Sequence, residues 1–161
     1  MKYLIFTLSL LALIGCKDNT QQENKTTAIE ESVNAATEQN INEVSVYSNT
    51  WTEEIKMNNG AKWQANAETN EGVKNMQNSI KIQKTSTLKE YQKLAEQLNK
   101  DISYVIKKCS MKGDSHNNLH VWLLPLMEKI EALSEAKTVE EASKLKHSIE
   151  ENINGYNTYF Q

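Results

Sequence analysis

Arginine is absent from the 161 residues, while proline occurs once, glycine five times and cysteine twice. Without a guanidinium there is no bidentate fork for phosphate or carboxylate, so an anion site would have to use Lys or a helix N-terminus. The 18 Lys stand against 21 acidic residues with no basic patch, which argues against a nucleic-acid partner. There is no Cys-x-x-Cys-His, so haem is not attached covalently. No Gly-rich stretch offers an oxyanion loop, and no third group is evident to orient a Cys–His pair, so the chain does not read as an enzyme. What remains is rich in Lys, Glu, Asn, Gln, Leu and Ile, a composition suited to helices.

The first residues carry one positive charge at Lys2, an apolar run from Tyr3 to Ile14, and the ending Leu13-Ile14-Gly15-Cys16. That run is too short to span a bilayer and reads as an export signal over residues 1–15. The ending resembles the lipobox of bacterial lipoproteins. The resemblance implies cleavage before Cys16, acylation of that residue, and membrane anchoring through its acyl chains. The same resemblance, in which an Asp after the Cys implies inner-membrane retention, makes Lys17 favour the outer membrane, with the periplasmic face expected and surface exposure left open. Removal of residues 1–15 takes away Lys2 alone, which leaves 17 Lys against 21 acids and a formal charge of −4. It also leaves Cys109 as an odd thiol in an oxidising compartment.

Residues 16–49 lack any apolar period and read as a flexible tether. Between Trp51 and Trp63, the Asn59-Gly60 pair predicts a short turn or hairpin resting on the two indoles. Four helical segments follow within the domain 50–161. The first covers about 61–83. The second opens at the capping box Thr87-x-x-Glu90 and carries the stripe Tyr91, Leu94, Leu98, Ile102, Val105, Cys109. The third follows the Lys112-Gly113 break, is capped by Asp114 or Ser115, and carries His116, Leu119, Leu123, Leu126, Ile130 and Leu133. Pro125 falls inside it, and the Val121 carbonyl loses its helical donor. The fourth starts at Thr138 with Glu141 as its box partner, uses Val139, Ala142, Leu145, Ile149 and Ile153, and stops near Gly155. Short connections between such segments predict an all-α, up-down-up-down four-helix bundle.

Counting rises of about 1.5 Å per residue from each turn sets Cys109 and His116 level at one end of that bundle, with His120 one turn deeper. Trp63 and Tyr156 are the expected walls. Met76 falls about 20 Å away and reads as core. A thiolate, a thioether and two imidazoles at helical spacing suit a transition metal, copper before zinc. The candidate ligands are Cys109, Met111, His116 and His120. Non-covalent haem on Met76 and His120 fails the same level count. The segment Cys109-x-Met111-x-Gly113-x-x-His116-x-x-Leu119-His120, followed by Trp122-Leu123-Leu124-Pro125, is similar to one in small uncharacterised exported helical lipoproteins, a resemblance that implies no activity. Two functions are therefore expected as alternatives: metal handling or sensing at the envelope, or a cofactor-free structural or partner-binding role.

Overall fold

Five helices pack on one core in the computed structural model, which describes residues 46–161. They are α1 (Trp51–Glu54), α2 (Ala67–Ile82), α3 (Leu88–Lys108), α4 (Gly113–Glu135) and α5 (Val139–Tyr159). The expected signal peptide, Cys16 and residues 17–45 of the expected tether lie outside the described residues. Successive long helices pack on one another, and α2 closes against α5. Among the described residues no helix is long and apolar enough to cross a membrane.

The period-3.6 stripes account for the core. Leu94, Leu98, Ile102 and Val105 of α3 are buried with Leu119, Leu126, Ile130 and Leu133 of α4 and Leu145, Ile149 and Ile153 of α5. Met76 is fully buried among them. Thr87 caps α3 as its sequence implies, accepting from the Glu90 amide at 3.3 Å, while the Glu90 carboxylate accepts from the Thr87 amide at 2.9 Å. Backbone donors at Ser86 and Thr87 hold the Glu90 carboxyl below its ordinary range. At α5 the Thr138 hydroxyl accepts from the Glu141 amide, but the Glu141 carboxylate accepts from the Lys137 amide instead of that of Thr138.

Several boundaries differ from those the sequence predicts. The first long helix begins at Ala67, not 61, because the Trp63 amide donates to the Tyr159 carbonyl and the Ala65 amide to the Gln161 carbonyl. Residues 63–65 are thereby held beside the C-terminus, with Trp63 in a parallel bridge to Phe160. The anticipated hairpin shrinks to one bridge, Asn58 with Ala61, around Asn59 (φ 51°) and Gly60 (φ 85°). Positive φ at both central positions is what a tight turn of this hand requires. Neither Asp114 nor Ser115 caps α4, whose N-cap is Lys112; the Ser115 hydroxyl donates back to the Lys112 carbonyl. Pro125 is accommodated within the helical span. Val139 is 45% exposed and does not join the core.

Gly155 does not end α5. A Cβ there would stand 2.8 Å from two ring carbons of Trp51, so the missing side chain is the seat for that indole. Gly72 plays a similar part between α2 and α3, where a Cβ would lie 2.4 Å from a methyl of Val105. In an open helix Gly→Ala gains about 0.5–1 kcal/mol. At this contact overpacking costs about 1–3 kcal/mol, and the β-branched Val105 has little rotamer freedom with which to yield. Gly72→Ala is accordingly expected to destabilise the fold in urea titration, and Gly72→Ala with Val105→Ala to recover part of the loss relative to additivity. A stabilising single substitution would show that the helices separate freely.

Asp101 is buried on α3, accepting from Ser79 Oγ and Gln97 Nε2, both at 3.0 Å. Burial raises its carboxyl above the ordinary range despite those bonds. Since the folded chain holds this proton more tightly than the unfolded chain, its contribution to stability declines as pH rises past the unfolded value. Asp101→Asn, which can still accept from Gln97, should therefore exceed wild type in thermal stability at pH 7 and lose that advantage at pH 3.5.

Candidate functional site: a cysteine–histidine pocket between two helices

Cys109 is the C-cap of α3 and His116 stands in the first turn of α4, so the intervening turn 110–112 faces their side chains toward each other. Cys109 Sγ lies 3.7 Å from His116 Nδ1. The His116 and His120 rings, one helical turn apart, meet edge to face with centroids 4.5 Å apart. These three side chains line one end of a cavity of about 220 Å³ whose other walls are Val105, Ile106, Leu119, Leu123, Leu124 and Met127. Cys109 and His116 are half-buried and His120 is exposed.

Two donor atoms 3.7 Å apart suit a shared ion. With sulfur about 2.3 Å and nitrogen about 2.0 Å from one metal, bond angles of about 110–120° separate them by about 3.5–3.8 Å. The same separation also serves a thiol-to-imidazole hydrogen bond. As the side chains stand, no three His, Cys, Asp or Glu residues among those described are arranged to hold a metal. The exposed His120 ring must turn to complete a three-donor set.

Of the expected ligands, Cys109, His116 and His120 are brought together. Met111 is not; it packs, half-buried, against the core and does not line the cavity. Trp63 is displaced from the expected wall. It lines a separate polar cleft with Lys56, Asp114 and Asn118, and its indole donates to the Lys56 carbonyl at 2.6 Å. Tyr156 does lie near Cys109: burial first, and then the charge of a Cys109 thiolate, push its phenol above its ordinary range. Its hydroxyl donates to Asn70 Oδ1 at 2.8 Å, and its ring stacks on Phe160. His147 is exposed beside Glu151 at 3.4 Å, as its place between Lys146 and Ser148 implies.

One residue of chemical interest is not anticipated by the sequence motifs. Lys129 of α4 is 0% exposed, with its ammonium donating to Asn49 and Asn152 side-chain oxygens. Burial lowers its pKa to about 8, against opposing pulls from Glu151 and Glu128. The signal that could have found it is the spacing Trp122, Leu126, Lys129, Leu133, which places the lysine on the core stripe.

The fold and this pocket define a helical domain with a thiol–imidazole pair at the end of an apolar cleft. No family model matches the chain, and comparison with curated proteins and with solved structures returned no match.

Proposed function

We propose that this chain is an envelope lipoprotein, anchored through Cys16 to the outer membrane and facing the periplasm, whose up-down-up-down four-helix bundle binds a single Cu(I) ion for metal handling or sensing. Cys109 supplies the thiolate and His116 and His120 the imidazoles. The observation that carries the reading is the 3.7 Å approach of Cys109 Sγ to His116 Nδ1 at the end of an apolar cavity. Copper is favoured over zinc because a soft thiolate selects Cu(I), and because three donors fall short of the four that close a structural zinc site. The apolar walls support the reading further by keeping competing water from the ion. For the bundle, the support is the short connections 83–87, 109–112 and 136–138 together with the closure of α2 on α5.

Titration of the full chain with Cu(I) against a competing chelator tests this. One equivalent should bind to wild type and none to Cys109→Ser combined with His116→Ala. Equal weak binding by both proteins would remove the metal. The cofactor-free partner-binding reading would then stand, favoured by Ile106 and Leu124, which are 52% and 51% exposed beside the same cleft.

A further inference from the structure

Residues 46–55 cross the α4/α5 face as a strap whose fastening is polar at its centre. The Asn49 side chain is bonded on both sides of its amide. Its oxygen accepts from Lys129 Nζ and from the Trp51 indole at 2.9 Å, while its nitrogen donates to Glu151 at 3.1 Å and the Ser148 carbonyl at 3.4 Å. Trp51 then fills the space above Gly155 and meets Tyr159 edge to face at 5.8 Å. Beneath the strap, the partners of Lys129 among the described residues are amide oxygens. Its second partner is Asn152 Oδ1 at 3.2 Å, and among the described residues no carboxylate lies within ion-pair distance of its nitrogen.

Closing the strap therefore removes an ammonium from water without giving it a counter-ion in contact, a costly arrangement that opening relieves by rehydration. We propose that residues 46–55 are a releasable latch, seated by Asn49 on Lys129, whose grip is set by the charge of that buried lysine. The groups that bear on this charge are Glu128 on its own helix and Glu151 on α5, which is itself paired with His147. From the strap comes the neutral Asn49 in direct contact, while Tyr47 lies toward Lys144 of α5.

The direction of the pH response follows from where the proton is held. A lysine near 8 when covered and near the ordinary 10.5 when hydrated loses its proton sooner in the closed state. Raising the pH through this interval tightens the latch, and below it the grip is at its weakest and constant.

The full chain contains its own control, since two indoles are buried by different contacts. The Trp51 indole proton is held by Asn49 on the strap, and that of Trp122 by the Asn152 carbonyl at 2.8 Å within the core. Hydrogen exchange of the two, followed by NMR and divided by the exchange rate of a free indole at each pH, gives the opening equilibrium behind each proton. Trp51 should open more often than Trp122 at pH 7, and its opening should become about tenfold rarer between pH 7 and 9, the change expected for those two proton affinities. In Lys129→Met the Trp51 opening should not vary with pH. In Asn49→Ala the Trp51 proton should lose its protection while Trp122 keeps its own. The latch is refuted if Trp51 is as protected as Trp122 throughout, if the wild-type Trp51 opening is flat with pH, or if Asn49→Ala leaves Trp51 unchanged.

Discussion

Replacing Trp122 by alanine is expected to remove about 3–5 kcal/mol of unfolding free energy, the range for emptying a buried Trp position. This indole is 0% exposed and meets the Tyr156 ring edge to face at 4.9 Å. Its Nε1–H donates to the Asn152 carbonyl, and Asn152 Nδ2 donates back to the Trp122 carbonyl at 3.2 Å. The pair thus clamps α4 to α5 by packing and by two bonds of opposite sense. Trp122→Phe separates the contributions. It keeps most of the ring contact and loses the indole bond, worth about 1 kcal/mol, while Asn152 still finds the backbone carbonyl at residue 122. Urea unfolding should therefore rank the alanine variant well below the phenylalanine one. A loss under about 1 kcal/mol for Trp122→Ala would mean the clamp is not what joins these helices.

Cys109→Ser is expected to weaken Cu(I) binding at least about 100-fold, or about 2.8 kcal/mol at 1.4 kcal/mol per tenfold. That exceeds the about 10–100-fold typical of groups that only support a ligand. The reason is softness: a serine hydroxyl is a hard donor that stays protonated, whereas the thiolate supplies both charge and polarisability. His116→Ala should follow, since its Nδ1 is the donor nearest the sulfur. His120→Ala should cost less, because this ring must first turn in from the surface. Met111→Leu should change affinity by less than about twofold: the side chain packs on the core without lining the cavity, and Leu preserves that packing. A Met111 effect as large as that of His116 would require the turn 110–112 to rearrange on binding and would overturn the assigned donor set. The series is read with a chelator competition on each full-length variant, alongside circular dichroism to verify the helices.

The pocket is partly legible in the sequence. A stripe ending in Cys109, a Gly-containing break and a new stripe beginning at His116 fix both residues at one level, since helical rise is constant and the turn between them is short. The same count finds Tyr156 on α5. It fails for Trp63, because it assumes that the first long helix runs from residue 61. That assumption breaks on the C-terminus, whose backbone pairs with residues 63–65 across almost a hundred positions. Met111 eludes the count for a related reason: a residue in a turn has no helical phase, so its direction does not follow from spacing.

Lys129 and Gly155 show another limit. The stripe Trp122, Leu126, Lys129, Leu133 sets the lysine on the core face but supplies no acceptor for its ammonium, and Gly155 reads locally as a helix stop. The lysine is buried because Asn49 and Asn152, distant in sequence, accept from it, and the glycine is helical because Trp51 occupies the room its missing side chain leaves.

The sequence by itself determined the four long helical segments, the Thr87 cap, the Asn59-Gly60 turn and the pairing of Cys109 with His116. All are governed by neighbours within a turn or two, where propensity, capping and periodicity act. Only the tertiary structure decided where α2 begins, how far α5 continues, and which groups cover the ammonium beneath the strap. Those outcomes depend on backbone and side-chain partners about 80 to 100 residues away, and no local interaction encodes them.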